Sequence, residues 1–199
     1  VNLFYGKDYI TEKICGLRFK ITAKTFFQTN SKQAENLFYL VKKFLKPNKN
    51  DILYDLYSGI GTIGQILSRD VKKVVGVDIV EDSINFANEN SKLNNLSNTK
   101  YFSGDMKDIF TQAFIKENGK PSVTIVNPPR EGIDKKVIEK IIDTKPKKIV
   151  YVSCNSSTLA RDLFIFQKTY EISKLQTIDM FPHTSHVENV VLLKKLIDV

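Results

Sequence analysis

The chain has 199 residues, long enough for one domain with a buried core, and its apolar content includes 13 Phe and 8 Tyr. Lys and Arg number 30 against 22 Asp and Glu, a net charge of +8 that favours a polyanionic partner such as nucleic acid. Cys15 and Cys154 lack disulfide or metal-ligand spacing, and no apolar run reaches the roughly 20 residues needed to span a bilayer; the composition predicts a cytoplasmic protein without membrane attachment or bound metal.

The chain opens abruptly on Val1-Asn2-Leu3-Phe4 and runs into a strand-like stretch, Leu17 to Ile21. Residues 1–29 are therefore read as a leading segment, the remnant of an upstream region, and 30–199 as the main domain. From residue 30 apolar strands alternate with helical patterns, which implies a mostly parallel sheet covered on both faces. The predicted strands are Ile52 to Leu56, Lys73 to Val77, Thr99 to Phe102, Val123 to Val126, Ile149 to Val152, Ile172 to Ile178 and Val187 to Leu193. Helices are expected at Lys32 to Leu45, Thr62 to Arg69, Ser83 to Asn94, Met106 to Glu117, Lys135 to Asp143 and Thr158 to Gln167. No helix separates the last two strands, so they should form an antiparallel hairpin at the end of a seven-stranded Rossmann-like sheet.

After the first of those strands comes Asp55-Leu56-Tyr57-Ser58-Gly59-Ile60-Gly61-Thr62-Ile63-Gly64, where glycines let the backbone approach a ligand at a helix N-terminus. Asp78 lies 19 residues beyond Gly59, where a carboxylate can accept from ribose hydroxyls. The same pattern suits NAD or S-adenosylmethionine, and it also suits a tight turn in which Asp78 merely caps the next helix. Asp105, in Ser103-Gly104-Asp105, can accept from an adenine amino group or cap its own helix.

Two later motifs carry reactive chemistry. Asn127-Pro128-Pro129-Arg130 follows a strand, and its prolines fix the backbone so that the Asn side chain points into the cleft. Ser153-Cys154-Asn155 closes a β-branched run, which puts a thiol at the C-terminal end of a strand, where open α/β sheets present reactive groups. A single cysteine is more often a small hydrophobe, so the thiol gains weight from its neighbours.

The ordered set Phe26-Phe27-Gln28-Thr29-Asn30, Asp55 to Gly61, Asn127 to Arg130, Ser153-Cys154-Asn155, Thr158-Leu159-Ala160-Arg161-Asp162 and His186-Val187-Glu188-Asn189 resembles the RNA uracil-5 methyltransferases. The resemblance covers nearly the whole chain from about Tyr5. It implies a class I methyltransferase fold, S-adenosylmethionine as cofactor, and methylation of a uridine in ribosomal or transfer RNA, with ribosomal RNA preferred, by a monomer. By matching motif, Gln28, Tyr57, Gly59, Asp78, Asp105 and Asn127 would line the cofactor site. Cys154 would be the nucleophile and Glu188 the base, with Arg130 and Arg161 as candidate RNA contacts. It also implies an N-terminal oligonucleotide-binding domain, which this sequence does not contain. Ser58 and Ser156-Ser157 depart from the family pattern without removing a reacting group. Competing readings are an NAD-dependent oxidoreductase, disfavoured by the Asn127 to Arg130 loop, and a non-catalytic RNA-binding module, disfavoured by Cys154 together with Glu188.

Overall fold

The computed structural model describes residues 5–196; the abrupt start at Val1 to Phe4 lies outside the described residues, as do residues 197–199. A hairpin, β1 (Tyr9–Ile14) and β2 (Leu17–Thr22), leads into α1 (Ser31–Leu45). Then follow β3 (Ile52–Leu56), α2 (Thr62–Leu67), β4 (Lys73–Asp78), α3 (Glu81–Leu93), β5 (Thr99–Ser103), α4 (Met106–Ile109) and α5 (Gln112–Asn118). The chain continues through β6 (Val123–Val126), α6 (Lys135–Thr144), β7 (Lys148–Ser153), α7 (Ser156–Phe166), β8 (Tyr170–Ile178) and β9 (Glu188–Lys195). The main sheet has seven strands in the order β5-β4-β3-β6-β7-β9-β8, with β9 antiparallel to both of its neighbours.

Alternation along each central strand sends side chains to two separate cores. In β7, Val150 and Val152 face α1 and the N-terminal hairpin, whereas Ile149 and Tyr151 face α6 and α7. All four are fully buried, which is why these strands read as continuous apolar runs rather than alternating ones.

Three elements differ from the sequence reading. The strand-like Leu17 to Ile21 is the second arm of a hairpin whose turn, Cys15-Gly16, has positive φ at both residues, 48° and 79°. Phe19 of this arm is completely buried in the core, and its free backbone edge is met by side-chain amides of α3. Asn94 accepts from the Arg18 N–H at 2.8 Å, and Asn90 accepts from the Lys20 N–H at 2.8 Å. The helix expected over Met106 to Glu117 is two helices, because Phe110 leaves helical geometry and Thr111 starts a new one by accepting from the Phe114 N–H at 3.2 Å. The helix from Thr62 ends at Leu67 and tightens into a 3₁₀ turn at Ser68–Asp70.

Candidate active site

Strand register brings Cys154 and Glu188 together. Ser153 of β7 pairs with Asn189 of β9, so the next step in that antiparallel register sets Cys154 across from Glu188. Both line a cavity of about 210 Å³ together with Phe26, Gln28, Arg130, Phe181 and His186. Asn30 holds the Phe26 to Thr29 segment against this cavity: it caps α1 and donates from Nδ2 to the Met180 carbonyl at 2.9 Å.

Cys154 sits between a strand end and a helix cap. Asn155 accepts from the Ser157 and Thr158 N–H groups at 3.0 and 3.5 Å, while the Ser153 hydroxyl accepts from the Asn155 N–H at 3.1 Å. Burial pushes the Cys154 thiol up and the Glu188 carboxylate pushes it further, while the Arg130 guanidinium pulls it down through its charge and a hydrogen bond. Glu188 is only 8% exposed, unlike an ordinary strand carboxylate. Burial raises it to about 7, against the opposing pull of Arg130. A carboxylate poised there can hold or release a proton near neutrality.

A second, larger cleft of about 630 Å³ lies on the α4 and α6 side of the sheet, lined by Tyr57, Ile79, Asp105, Met106, Arg161 and neighbouring residues. Asp78 lies at the end of β4 and accepts the Gly59 N–H at 2.8 Å and the Val80 N–H at 2.9 Å. It does not cap α3, whose N-cap is Val80, without a side-chain bond. Asp105 does cap α4, accepting from the Lys107 N–H at 2.8 Å, while still facing the cleft. Asn127 follows β6 and donates its backbone N–H to the Leu56 carbonyl at 3.2 Å, which ties it to the end of β3.

The three glycines of the β3–α2 loop and the first turn of α2 have different tasks. A Cβ on Gly61 would meet the Tyr101 ring at 2.6 Å, and one on Gly64 would meet Asp55 Oδ2 at 2.8 Å. Those two exist to let the buried Tyr101 and Asp55 pack beneath the loop. Gly59, at φ +54°, has nothing within 4 Å of such a Cβ, so its conformation leaves open space above the turn. Asp55 Oδ2 accepts from the Gly64 N–H at 2.8 Å, and burial raises its carboxyl to about 7.

The structure thus divides the sequence-predicted residues. Cys154, Glu188, Gln28 and Arg130 share the smaller cavity, while Tyr57, Asp105 and Arg161 share the larger. Arg161 is committed elsewhere than the reactive pair: its guanidinium meets Asp162 at 2.8 Å and donates to the Glu131 carbonyl at 2.8 Å. His186, exposed in the β8–β9 connection, also lines the reactive cavity. Sequence reasoning gave Asp162 no role beyond its place in a motif, since a helical Arg-Asp pair carries no signal of its partners. Among the described residues no cluster of His, Cys, Asp or Glu could hold a metal ion, and no helix is long and apolar enough to cross a membrane.

An open parallel sheet with a terminal antiparallel strand, a glycine turn facing a cleft and an acidic residue ending the next strand is the architecture of Rossmann-like class I methyltransferases. The M. jannaschii tRNA m1G37 methyltransferase shares this fold at TM-score 0.72 and 18% identity, over 98% of this chain and 59% of its own. The family model for tRNA (uracil-5-)-methyltransferase matches residues 2–196, and the chain belongs to that family. It is 35% identical, at TM-score 0.82, to the Pyrococcus abyssi tRNA (uracil-54, C5)-methyltransferase solved in complex with S-adenosyl-L-homocysteine, covering 95% of this chain and 45% of that one. An uncharacterized RNA methyltransferase of Bacteroides thetaiotaomicron is 46% identical over 98% of this chain and 43% of its own length. A Clostridium acetobutylicum relative, also described as an uncharacterized RNA methyltransferase, is 46% identical over 99% and 42%. The chain therefore spans less than half the length of these two curated relatives.

Proposed function

We propose that this chain transfers a methyl group from S-adenosylmethionine to C5 of a uridine in RNA, with Cys154 as nucleophile and Glu188 as base. The observation that carries the reading is that these two residues enter one cavity from adjacent antiparallel strands, with Arg130 and Gln28 in the same wall.

Carbon 5 of uracil is a weak nucleophile. Addition of the Cys154 thiolate at C6 makes an enolate whose electron density falls on C5, which divides one hard step into easier ones. Arg130, which favours the thiolate, is placed to support this addition. The cofactor, when bound, supplies an electrophilic methyl group to C5. Glu188 then takes the proton from C5, the C5–C6 double bond re-forms, and the Cys154 sulfur leaves.

Tyr57 and Asp105 of the larger cleft, with the strand-end residues beside it, fit the cofactor. Gly59 faces open space in a left-handed turn, and the Ser58 hydroxyl beside it is buried without a hydrogen-bond partner among the described residues. Asp78 would hold the ribose hydroxyls with the lone pairs its two backbone bonds leave free; Tyr57 and Asp105 would flank the adenine, and Asn127 and Gln28 would face the reacting end. The net charge of +8 provides a general attraction for RNA phosphates. A flipped or single-stranded uridine is the form that a pocket of this size admits.

The test is incubation with radiolabelled S-adenosylmethionine and uridine-containing transcripts of both ribosomal RNA, the preferred substrate, and transfer RNA. Label should appear as 5-methyluridine and vanish in Cys154→Ala. Label on another atom, or normal turnover by Cys154→Ala, overturns the assignment.

A further inference from the structure

Asp162 carries a carboxylate with no exposure at all, inside α7. A buried charge is tolerated only when hydrogen bonds satisfy it, and here the bonds run in two directions. Towards the sheet, Tyr151 of β7 donates its hydroxyl to Oδ2 at 2.8 Å. Towards the loop after Arg130, the Ile133 N–H donates to the same oxygen at 2.7 Å. Oδ1 takes the Arg161 Nε at 2.9 Å, and the Arg161 terminal nitrogen in turn donates to the carbonyls of Glu131 and Ile133 at 2.8 and 3.4 Å. Higher on the same helix face, Asn155 Nδ2 and the Thr158 hydroxyl both donate to the Arg130 carbonyl at 3.0 Å. Gly132, at φ +77°, completes the fit: a Cβ there would stand 2.6 Å from the Arg161 terminal nitrogen and 2.7 Å from Asp162 Oδ2.

Every backbone carbonyl or N–H named in this set belongs to residues 130–133, and every donor or acceptor that meets them belongs to α7 or its cap. The first residue of that loop is the arginine that shares the reactive cavity with Cys154. We infer that Asp162 is a positioning residue, fixing the Arg130 to Ile133 loop from within α7 so that the Arg130 guanidinium faces Cys154. The inference rests on the reading of Cys154 as nucleophile, because only then does the arginine's placement bear on the reaction. Asp162 touches neither reacting atom; it acts through Arg130.

The groups facing Cys154 are Arg130 from this loop, Glu188 from β9 and His186 from the β8–β9 connection. Those facing Asp162 are Arg161 on its own helix, Tyr151 of β7 and Tyr57 at the end of β3. The experiment is the pH dependence of Cys154 alkylation by iodoacetamide, in a Cys15→Ser background so that one thiol is read. Asp162→Asn should move the midpoint up by about half a unit or more, because the guanidinium no longer sits against the thiolate. Arg130→Gln should move it likewise, and the double variant should add nothing further. Gly132→Ala displaces the same loop without opening the core, and it should raise the midpoint even if Asp162→Asn fails to fold. An unchanged midpoint in a folded Asp162→Asn, or in Gly132→Ala where Asp162→Asn does not fold, overturns the inference and leaves Asp162 a structural carboxylate. An undiminished Asp162→Asn shift in the Arg130→Gln background also overturns it. Alkylation needs neither cofactor nor RNA, so these results stand apart from the methylation assay. Normal methylation by Cys154→Ala would sink the functional reading without touching the thiol measurement.

Discussion

The reactive cavity and the larger cleft are built on the same sheet edge by different means. In the cavity, two strands carry one reacting side chain each and register alone sets them opposite, Ser153 against Asn189 and hence Cys154 against Glu188. At the ends of β3 and β4 beside the cleft, position comes from backbone: a left-handed turn at Tyr57 and Gly59, a carboxylate tied to two N–H groups, and glycines that make room for Tyr101. Chemistry at the first region should therefore respond to side-chain identity, and binding at the second to loop shape.

The sharpest break between the regions is expected from Cys154→Ala and Glu188→Gln, which should reduce turnover to background while leaving donor affinity intact by calorimetry. Glu188→Gln should still form the RNA adduct and release it slowly, because the amide cannot take the C5 proton. It should also shift Cys154 alkylation to lower pH, since the carboxylate is one of the two causes that raise the thiol. Asp78→Ala should do the reverse, weakening donor binding by about 1.5–3 kcal/mol, roughly 10- to 150-fold, with Cys154 reactivity unchanged. Equal effects of both sets on donor affinity would erase the distinction.

Stability sharpens the contrast further. Glu188 has a folded-state value raised from 4.5 to about 7, so the folded state keeps its proton longer than the unfolded chain does. Its contribution is fully present below pH 4.5 and is lost as pH rises to about 7, amounting to on the order of 3 kcal/mol. Asp55 is raised in the same direction to about 7. Urea melts should therefore show declining stability across this window, with a shallower decline in Glu188→Gln; an identical slope would mean that the carboxylate is ionised when folded. In the turn after β3, Gly61→Ala should cost about 2–3 kcal/mol because both its φ and the Tyr101 ring forbid a Cβ. Gly59→Ala should cost only about 1–2 kcal/mol of backbone strain, and thermal melts will rank the two.

The sheet was legible because its inner strands are apolar on both faces, and Ile149 to Val152 announces itself without any partner. Cys154 and Glu188 were legible as motif residues, but that they meet depends on β9 lying between β7 and β8, which spacing does not state. The N-terminal hairpin was hidden because its turn is Cys15-Gly16 rather than a pair such as Asn-Gly, and only the left-handed φ of Cys15 reveals it. The break at Phe110 and Thr111 was hidden because apolar residues continue on both sides of it. Asp162 was invisible for a third reason: its loop partner Ile133 is 29 residues away, and a helical Arg-Asp pair reads as surface charge.

Covalent trapping tests the central claim most directly. An RNA carrying 5-fluorouridine, incubated with the protein and S-adenosylmethionine, offers no C5 proton for Glu188 to remove, so the adduct cannot collapse. Intact-mass and peptide-level spectrometry should find RNA bound through Cys154, with one methyl group added to the base. No adduct from a protein that methylates the unmodified RNA, or a crosslink at any other residue, would contradict the account.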